Sequence, residues 1–297
     1  MVNTESISRN RGELKIKLFD LHCDTAYECY MKNQEFKDNT LAVSAVKGAV
    51  FDDWHQTFAV WIKDEADNPF LLYKRIVTDF KRKLNNNLKN ITPIFALEGG
   101  AAIENSDCLY EMHSDKVKII TLTWNGENRI AGGCKTDKGL TVFGREIIDD
   151  MNRLKIACDM SHLNEKSFYS AIERTQYPIA THSNCKKIHN NERNLTDRQV
   201  KMICEKDGII GLCPYPEFLG GDVAEKLYEN ICHICFLGYE DNIGIGTDFD
   251  GAKQAEFLSD ISKIPLLYEK LKEKGLNEGL LNKIFYKNAY NFIAKLS

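Results

Sequence analysis

The sequence lacks the long apolar segments that would place it in or across a membrane. No stretch reaches about 18 consecutive apolar residues, the length that a spanning helix needs. Residues 1–13 are polar and contain no apolar core of a secretory signal, and residues 291–297 contain no hydrophobic tail of the kind that precedes a lipid anchor. We therefore expect a cytoplasmic protein with no membrane partner.

The sequence also has little net charge. The 39 Lys and Arg residues nearly balance the 43 Asp and Glu residues, and the formal net charge is −4. Such a balance provides no basic surface for nucleic acid, so we expect no nucleic-acid partner. With 28% charged and 10% aromatic residues, the composition is that of an ordinary soluble chain. The length of 297 residues is close to that of a single (β/α)₈ domain.

Linkers and disulfide signals are missing as well. Only six prolines occur and no Ser/Gly-rich segment interrupts the chain, so we predict one domain over residues 1–297, with residues 1–14 as a polar N-terminal extension. The ten cysteines are predicted to be free thiols, because a long chain without a secretory signal has little use for a disulfide scaffold. The single C-x-x-C, Cys232 and Cys235, falls in a predicted helix and is interpreted as two buried thiols.

Eight short runs rich in β-branched and apolar residues alternate with helical patterns. The predicted strands are 15–24, 56–62, 92–98, 117–124, 156–162, 177–183, 208–215 and 242–249, and the clearest helical patterns are 69–84, 142–154, 195–205 and 223–237. Strand alternating with helix indicates a parallel sheet, and eight such units indicate an α/β (β/α)₈ TIM barrel. Residues 25–55 form the longest predicted insertion after a strand, and we expect them to cover part of the barrel mouth.

Residues able to bind metal stand at the ends of these strands, where barrels carry their active sites. His22 and Asp24 are two residues apart at the end of the first strand, so their side chains should point the same way. Glu98 ends the third strand and is followed by two glycines. The other such residues at strand ends are His162, His182 and Asp248.

Imidazole and carboxylate together favour zinc or a similar ion. Five ligands (His22, Asp24, Glu98, His162 and His182) exceed the three that one open catalytic zinc usually takes. Two ions that share Glu98 as a bridge would use all five, and two metals about 3.5–4 Å apart can hold a hydroxide between them. We expect no metal role for the remaining histidines, which are His55, placed just before the second strand, and His113, His189 and His233.

The motifs resemble those of the membrane dipeptidase (renal dipeptidase) family of zinc peptidases, in the metal-dependent hydrolase superfamily. FDLHCDT, FALEGG, GLTVFGREIIDDMNRL, DMSH, ATHSN, RNLTD and IGIGTDFDG occur in the family's order across residues 18–251. The resemblance implies a binuclear zinc barrel that cleaves dipeptides and tolerates a D-residue at the C-terminal position. It also suggests a homodimer.

The resemblance further implies a role for individual residues. His22 and Asp24 would bind one ion, His162 and His182 the other, and Glu98 would bridge them. Arg193 would hold the α-carboxylate of the substrate, for which the planar guanidinium is well suited. Asp248 would transfer a proton to the leaving amine. Tyr215 falls near the position of a tyrosine that lines the substrate pocket in members of the family.

The sequence departs from the family pattern after the fourth strand. Many members have Leu-Thr-His-Asn where this chain has Leu-Thr-Trp-Asn, so Trp124 and Asn125 should lie in the substrate pocket. Trp124 can donate a hydrogen bond but cannot accept a proton. Because the indole is longer than an imidazole, we predict that Trp124 forms a pocket wall instead of an oxyanion donor. A smaller departure is Cys213-Pro214-Tyr215, where an Asn-Phe-Tyr-like run is expected.

The sequence therefore predicts a zinc-dependent dipeptidase in which a metal-bridged hydroxide attacks the peptide carbonyl and Asp248 transfers the proton. One alternative is a binuclear amidohydrolase for another small amide or ester, since Trp124 replaces the histidine. Another is a non-catalytic relative that binds metal and dipeptide, although the retained Asp248 argues against it. A metal-free barrel isomerase would leave the five ligand-type residues unexplained.

Overall fold

The computed structural model describes residues 16–84 and 90–297. Eight parallel strands close into a barrel in the order of the chain, and β8 pairs with β1. This confirms the predicted (β/α)₈ fold. The predicted N-terminal extension, residues 1–14, lies outside the described residues.

The strands are β1 Lys17–Cys23, β2 Asp53–Trp61, β3 Ile91–Glu98, β4 Val117–Thr121, β5 Ala157–Asp159, β6 Pro178–Ala180, β7 Ile209–Leu212 and β8 Ile243–Ile245. The helices are α1 Thr25–Met31, α2 Pro69–Leu84, α3 Ser106–Ser114, α4 Val142–Arg153, α5 Glu165–Arg174, α6 Asp197–Cys204, α7 Pro216–Leu219, α8 Val223–Phe236, α9 Ile264–Glu273, α10 Glu278–Asn282 and α11 Asn288–Ala294.

Several strands are shorter than the sequence predicts. The apolar runs continue past the last paired residue, but the backbone leaves the ladder there. His162 and Asp248, predicted within the fifth and eighth strands, adopt left-handed backbone with φ of 69° and 55°, which no β ladder accommodates. At the other end β2 begins earlier than predicted, so His55 lies inside this strand and not before it.

Side-chain caps start the helices that follow β3, β4, β5 and β6. Thr196 lies in the predicted helical segment 195–205, where it caps α6 and forms a reciprocal capping box with Gln199. Thr141 caps α4 by accepting the N–H of Gly144, and Asn164 caps α5 by accepting the N–H of Ser167. These caps fix where each helix begins and hence the length of the loop that precedes it.

The barrel interior is filled by apolar side chains below the strand ends. Phe19 and Leu21 of β1 pack there with one or two residues from each of several other strands, and Phe292 and Leu296 close the far end. The register between β1 and β2 shifts between Asp20 and Cys23, a bulge that redirects the side chains just where His22 occurs. Polar side chains therefore begin one layer above a solid apolar plug.

The structure also tests the predictions about the cysteines and about residues 25–55. All ten cysteines are free, as predicted, but Cys232 and Cys235 are only half-buried in α8, because this part of the helix lies partly at the surface. Within residues 25–55, Tyr27 and Glu28 of α1 line the cavity at the barrel mouth. Among the described helices, none has the length and apolar character needed to cross a membrane.

Candidate metal centre

The five predicted ligands converge at the C-terminal ends of the strands. One group comprises His22, Asp24 and Glu98, and a second comprises Glu98, His162 and His182, with the ligand atoms of each group within 4.8 Å of one another. Glu98 belongs to both groups. A third group joins His22 and His182 to Asp248.

The two oxygens of Glu98 face different histidines. Oε2 lies 3.4 Å from Nε2 of His22, whereas Oε1 lies 2.8 Å from Nε2 of His162 and 3.7 Å from Nε2 of His182. The Nε2 atom of His22 also lies 3.7 Å from Oδ2 of Asp24. This carboxylate thus stands between two half-sites, which is the arrangement that a bridging ligand requires.

The unsatisfied atoms in this cluster fit bound cations. His22 Nε2 and Asp24 Oδ1 are buried and have no hydrogen-bond partner among the described residues. The Nε2 atoms of His162 and His182 lie 2.9 Å apart. Their Nδ1 atoms both have other partners, Asn125 Oδ1 for His162 and the Thr181 hydroxyl for His182, at 2.9 Å each. With Nδ1 protonated, two Nε2 lone pairs would face each other, and a cation relieves that repulsion.

The ionisation of the cluster also fits bound cations. Burial lowers the pKa of His22, but the Glu98 and Asp24 carboxylates outweigh it and raise this pKa well above its usual value. Burial and the positive charge of Arg193 lower the pKa of His162 to about 4. Burial and the Glu98 charge raise the pKa of Asp24 well above its usual range. Closely spaced, buried carboxylates and imidazoles of this kind are what a divalent cation stabilises.

Asp248 faces the same cluster from the end of β8. Its Oδ1 lies 4.0 Å from Nε2 of His22, and its side chain lines the cavity above. Burial and the Glu98 charge raise the pKa of Asp248 to about 6, against the opposing effect of His22. Gly251 leaves room for it, since a Cβ there would lie 2.0 Å from Asp24 Oδ2 and 2.6 Å from Asp248 Oδ1. The carboxyl group is therefore placed to exchange a proton.

A cavity of about 750 Å³ opens above these residues. Arg193 lines it and is 7% exposed, with its Nε and Nη2 groups buried and without a hydrogen-bond partner among the described residues. Its guanidinium lies over the Phe218 ring, 5.1 Å from the centroid. Tyr215 also lines the cavity and packs against Phe218. A buried guanidinium with free N–H groups is a site for an anion.

Trp124 and Asn125 both line the same cavity. The Trp124 ring meets Trp61 edge to face at 5.2 Å, and Trp61 meets Tyr27 in the same way at 4.9 Å. These three rings form an aromatic wall. Asn125 has a contact that the sequence did not reveal, because its Oδ1 lies 2.9 Å from Nδ1 of His162.

Sequence reasoning missed a polar layer beneath the ligands. Asp20 accepts hydrogen bonds from Thr247, and Asp159 accepts them from Thr121 and Thr181. Asp159 lies three residues before His162 and Thr181 directly before His182, but neither residue type is unusual at such a position. The four histidines predicted to have no metal role do not join the candidate metal groups of the described residues. Among them, His55 packs against Phe19 and Tyr286, and His233 lies 2.8 Å from Asp197.

A ring of histidines and carboxylates at the C-terminal end of a (β/α)₈ barrel, beneath an open cavity, defines a metal-dependent hydrolase. The family model for the membrane dipeptidases, peptidase family M19, matches residues 65–296. The chain belongs to this family. The matched range begins after β2, so His22 and Asp24 lie before it.

Individual relatives agree with this assignment. An uncharacterised dipeptidase of Schizosaccharomyces pombe is 30% identical over 214 residues, which are 68% of this chain and 51% of that protein, so the match spans about half of its length. The crystal structure of the family M19 metallopeptidase dipeptidase AC has a TM-score of 0.79 at 26% identity, over 94% of this chain and 98% of that one. The crystal structure of a Rhodobacter sphaeroides metallopeptidase, liganded with a phosphinate mimic of the dipeptide L-Ala-D-Ala, has a TM-score of 0.80 at 25% identity. The match covers 95% of this chain and 100% of that one.

Proposed function

We propose that this protein is a zinc-dependent dipeptidase that requires a free C-terminal carboxylate on its substrate. The observation that carries the proposal is the buried Arg193 guanidinium, whose unpartnered N–H groups line the same cavity as the ligand cluster. A dipeptide carries a carboxylate one residue from its only peptide bond. A guanidinium that binds this carboxylate would therefore place the peptide bond at a fixed distance from it.

His22 and Asp24 would hold one ion, His162 and His182 the other, and Glu98 would bind both. The donor set of imidazole nitrogens and carboxylate oxygens is one that zinc accepts. When bound, such ions polarise a carbonyl oxygen and lower the pKa of water. The orientation of the Glu98 oxygens towards opposite half-sites supports two ions over one.

Asp248 would move the proton. Hydrolysis of a peptide bond needs a base that takes a proton from the attacking water and then gives it to the departing nitrogen. Asp248 faces the cluster, and burial with the Glu98 charge raises its pKa to about 6, so this carboxyl group takes up a proton more readily than an exposed one.

The aromatic wall would contact the substrate opposite Arg193. Trp61 ends β2, which lies four strands from β6 in the eight-stranded barrel, and Trp124 follows β4, whereas Arg193 follows β6. With the carboxylate at Arg193, the side chain of the N-terminal residue would lie towards this wall and would be apolar. The L-Ala-D-Ala mimic bound to the Rhodobacter sphaeroides relative supports tolerance of a D-residue at the C-terminal position.

A dipeptide panel with and without added zinc tests the proposal. Amino-acid release from L-L and L-D dipeptides should depend on zinc and should be lost in a Glu98→Gln variant. Hydrolysis of small esters or other amides without dipeptide hydrolysis would favour the amidohydrolase alternative. Metal and dipeptide binding without turnover would favour a non-catalytic relative. The homodimer and the cytoplasmic location stay predictions, to be checked by light scattering and by cell fractionation.

A further inference from the structure

The Thr181 side chain lies beneath both halves of the ligand cluster. Its hydroxyl oxygen is 3.2 Å from Nδ1 of His22 and 2.9 Å from Nδ1 of His182. The same oxygen is 2.7 Å from Oδ2 of Asp159. Thr181 is 1% exposed, so no bulk water competes for these contacts.

The chain geometry explains how one hydroxyl reaches histidines from distant strands. Thr181 follows β6, whereas His22 belongs to β1, and β7 and β8 lie between them in the barrel. The backbone after β8 approaches that of β6 very closely, because a Cβ at Gly246 would lie 1.8 Å from the Thr181 carbonyl oxygen. The glycine therefore lets the strand ends draw together above the apolar plug.

The Thr181 hydroxyl uses all of its capacity for hydrogen bonds. A threonine hydroxyl has one hydrogen to donate and two lone pairs to accept with. Asp159 takes the hydrogen, because its Oδ1 already accepts the backbone N–H groups of Ser161 and Thr181 and its Oδ2 faces the Thr121 and Thr181 hydroxyls. Both lone pairs then remain for the two imidazole rings.

Each imidazole must therefore donate its Nδ1–H to Thr181. This leaves the Nε2 atom of each ring for the cluster, where His22 Nε2 faces Glu98 Oε2 and His182 Nε2 faces Glu98 Oε1. Histidines that bind metal through one ring nitrogen commonly have the other fixed by such a partner. His162 has a separate acceptor, Asn125. Among the hydrogen bonds of the described residues, Thr181 is the hydroxyl that contacts a histidine of each half-site.

We propose that Thr181 is a positioning residue on which both metal sites depend, because its single hydroxyl orients one histidine ligand of each. The proposal rests on the metal centre described under the proposed function, but it concerns metal affinity and not the substrate. Removal of this hydroxyl should weaken both ions together. Loss of an outer partner of a metal ligand typically costs about 10–100-fold in metal affinity.

Three variants test this, with Zn²⁺ alone as the probe. Thr181→Val removes the hydroxyl at nearly constant volume, and Thr181→Ser restores it. Thr121→Val is the matched control, since it removes the other hydroxyl bonded to the same Asp159 oxygen, at 2.6 Å, and Thr121 contributes no contact to the two rings among the hydrogen bonds of the described residues. Competition with a chromophoric chelator gives both dissociation constants for each variant, and circular dichroism confirms folding.

We expect Thr181→Val to weaken both binding steps by about 10–100-fold, and Thr181→Ser and Thr121→Val to bind nearly as the wild type does. Wild-type affinity in Thr181→Val, or weakening of one step alone, would overturn the proposal. Equal losses in Thr121→Val would assign the effect to Asp159 instead. Should Thr181→Val not fold, nitrogen NMR of the zinc-loaded wild type decides, because an unprotonated Nδ1 on His22 or His182 would contradict the assignment. None of these readouts needs a substrate, so failure of dipeptide hydrolysis is a separate result.

Discussion

Replacement of Arg193 should abolish the preference of the enzyme for a free C-terminal carboxylate. The guanidinium is 7% exposed and holds two buried N–H groups without partners in the described part of the chain. Two hydrogen bonds to a charged acceptor are worth about 1.5–3 kcal/mol each, and loss of one partner of a buried ion pair costs about 3–5 kcal/mol. Because the cavity is open to solvent, we take the low end, which corresponds to roughly 10²-fold in kcat/KM.

The assay compares kcat/KM for a dipeptide and for its C-terminal amide. The wild type should favour the free acid by about 10²-fold. Arg193→Met should cleave both at similar rates, and Arg193→Lys should fall between, because an ammonium keeps the charge but lacks the planar fork.

Lys135 provides the control for this experiment. It is an exposed cation at the same cavity, so Lys135→Met should leave the ratio unchanged. Equal cleavage of acid and amide by the wild type would refute the role of Arg193. A ratio that falls as much in Lys135→Met would assign the preference to the general charge of the cavity.

The remaining predictions concern the metals, the proton transfer and the aromatic wall. Elemental analysis of active, metal-replete protein should give two ions per chain, and a value near one would remove the bridging role of Glu98. Asp248→Asn should keep both ions while kcat falls by about 10²–10⁴. Asp248 must be ionised to act as the base, and its pKa is raised to about 6. We therefore expect kcat/KM to rise with pH as this group loses its proton. Bound cations would lower the pKa of Asp248, so the rise should occur below pH 6. That rise should vanish in Asp248→Asn. Trp124→Ala should widen tolerance for side chains with little loss of kcat, and Trp124→His should raise turnover of simple dipeptides. A hundredfold loss of kcat in Trp124→Ala, at unchanged metal content, would make the indole a catalytic donor.

The sequence predicted those residues whose chemistry is rare at the end of an apolar strand. The histidines and Glu98 could be recognised because imidazole and carboxylate side chains seldom follow a buried apolar run unless they have a functional role. Strand ends were less predictable, since Leu122 and Cys213 remain apolar and buried although the backbone has already left the ladder. In these segments the residues stay buried although they no longer pair with a neighbouring strand. The hydrophobic pattern of a sequence reports burial but not strand pairing.

The second layer of the site could not be predicted in the same way. Threonine and aspartate are common near strand ends, so Thr181 and Asp159 carry no special signal in the sequence. Their role depends on the approach of β6 to the end of β8, which arises only when the barrel closes. The contact of Asn125 with His162 likewise joins the loop after β4 to the end of β5. Sequence spacing does not encode such distances.

The aromatic wall gives the protein an optical property of its own. Only three tryptophans occur, and two of them, Trp61 and Trp124, line the cavity, while Trp54 is buried with its indole N–H bonded to Gln56. Two of the three residues that dominate ultraviolet emission in proteins therefore stand at the cavity. Occupancy of the cavity should be visible as a change in intrinsic fluorescence, without any attached dye.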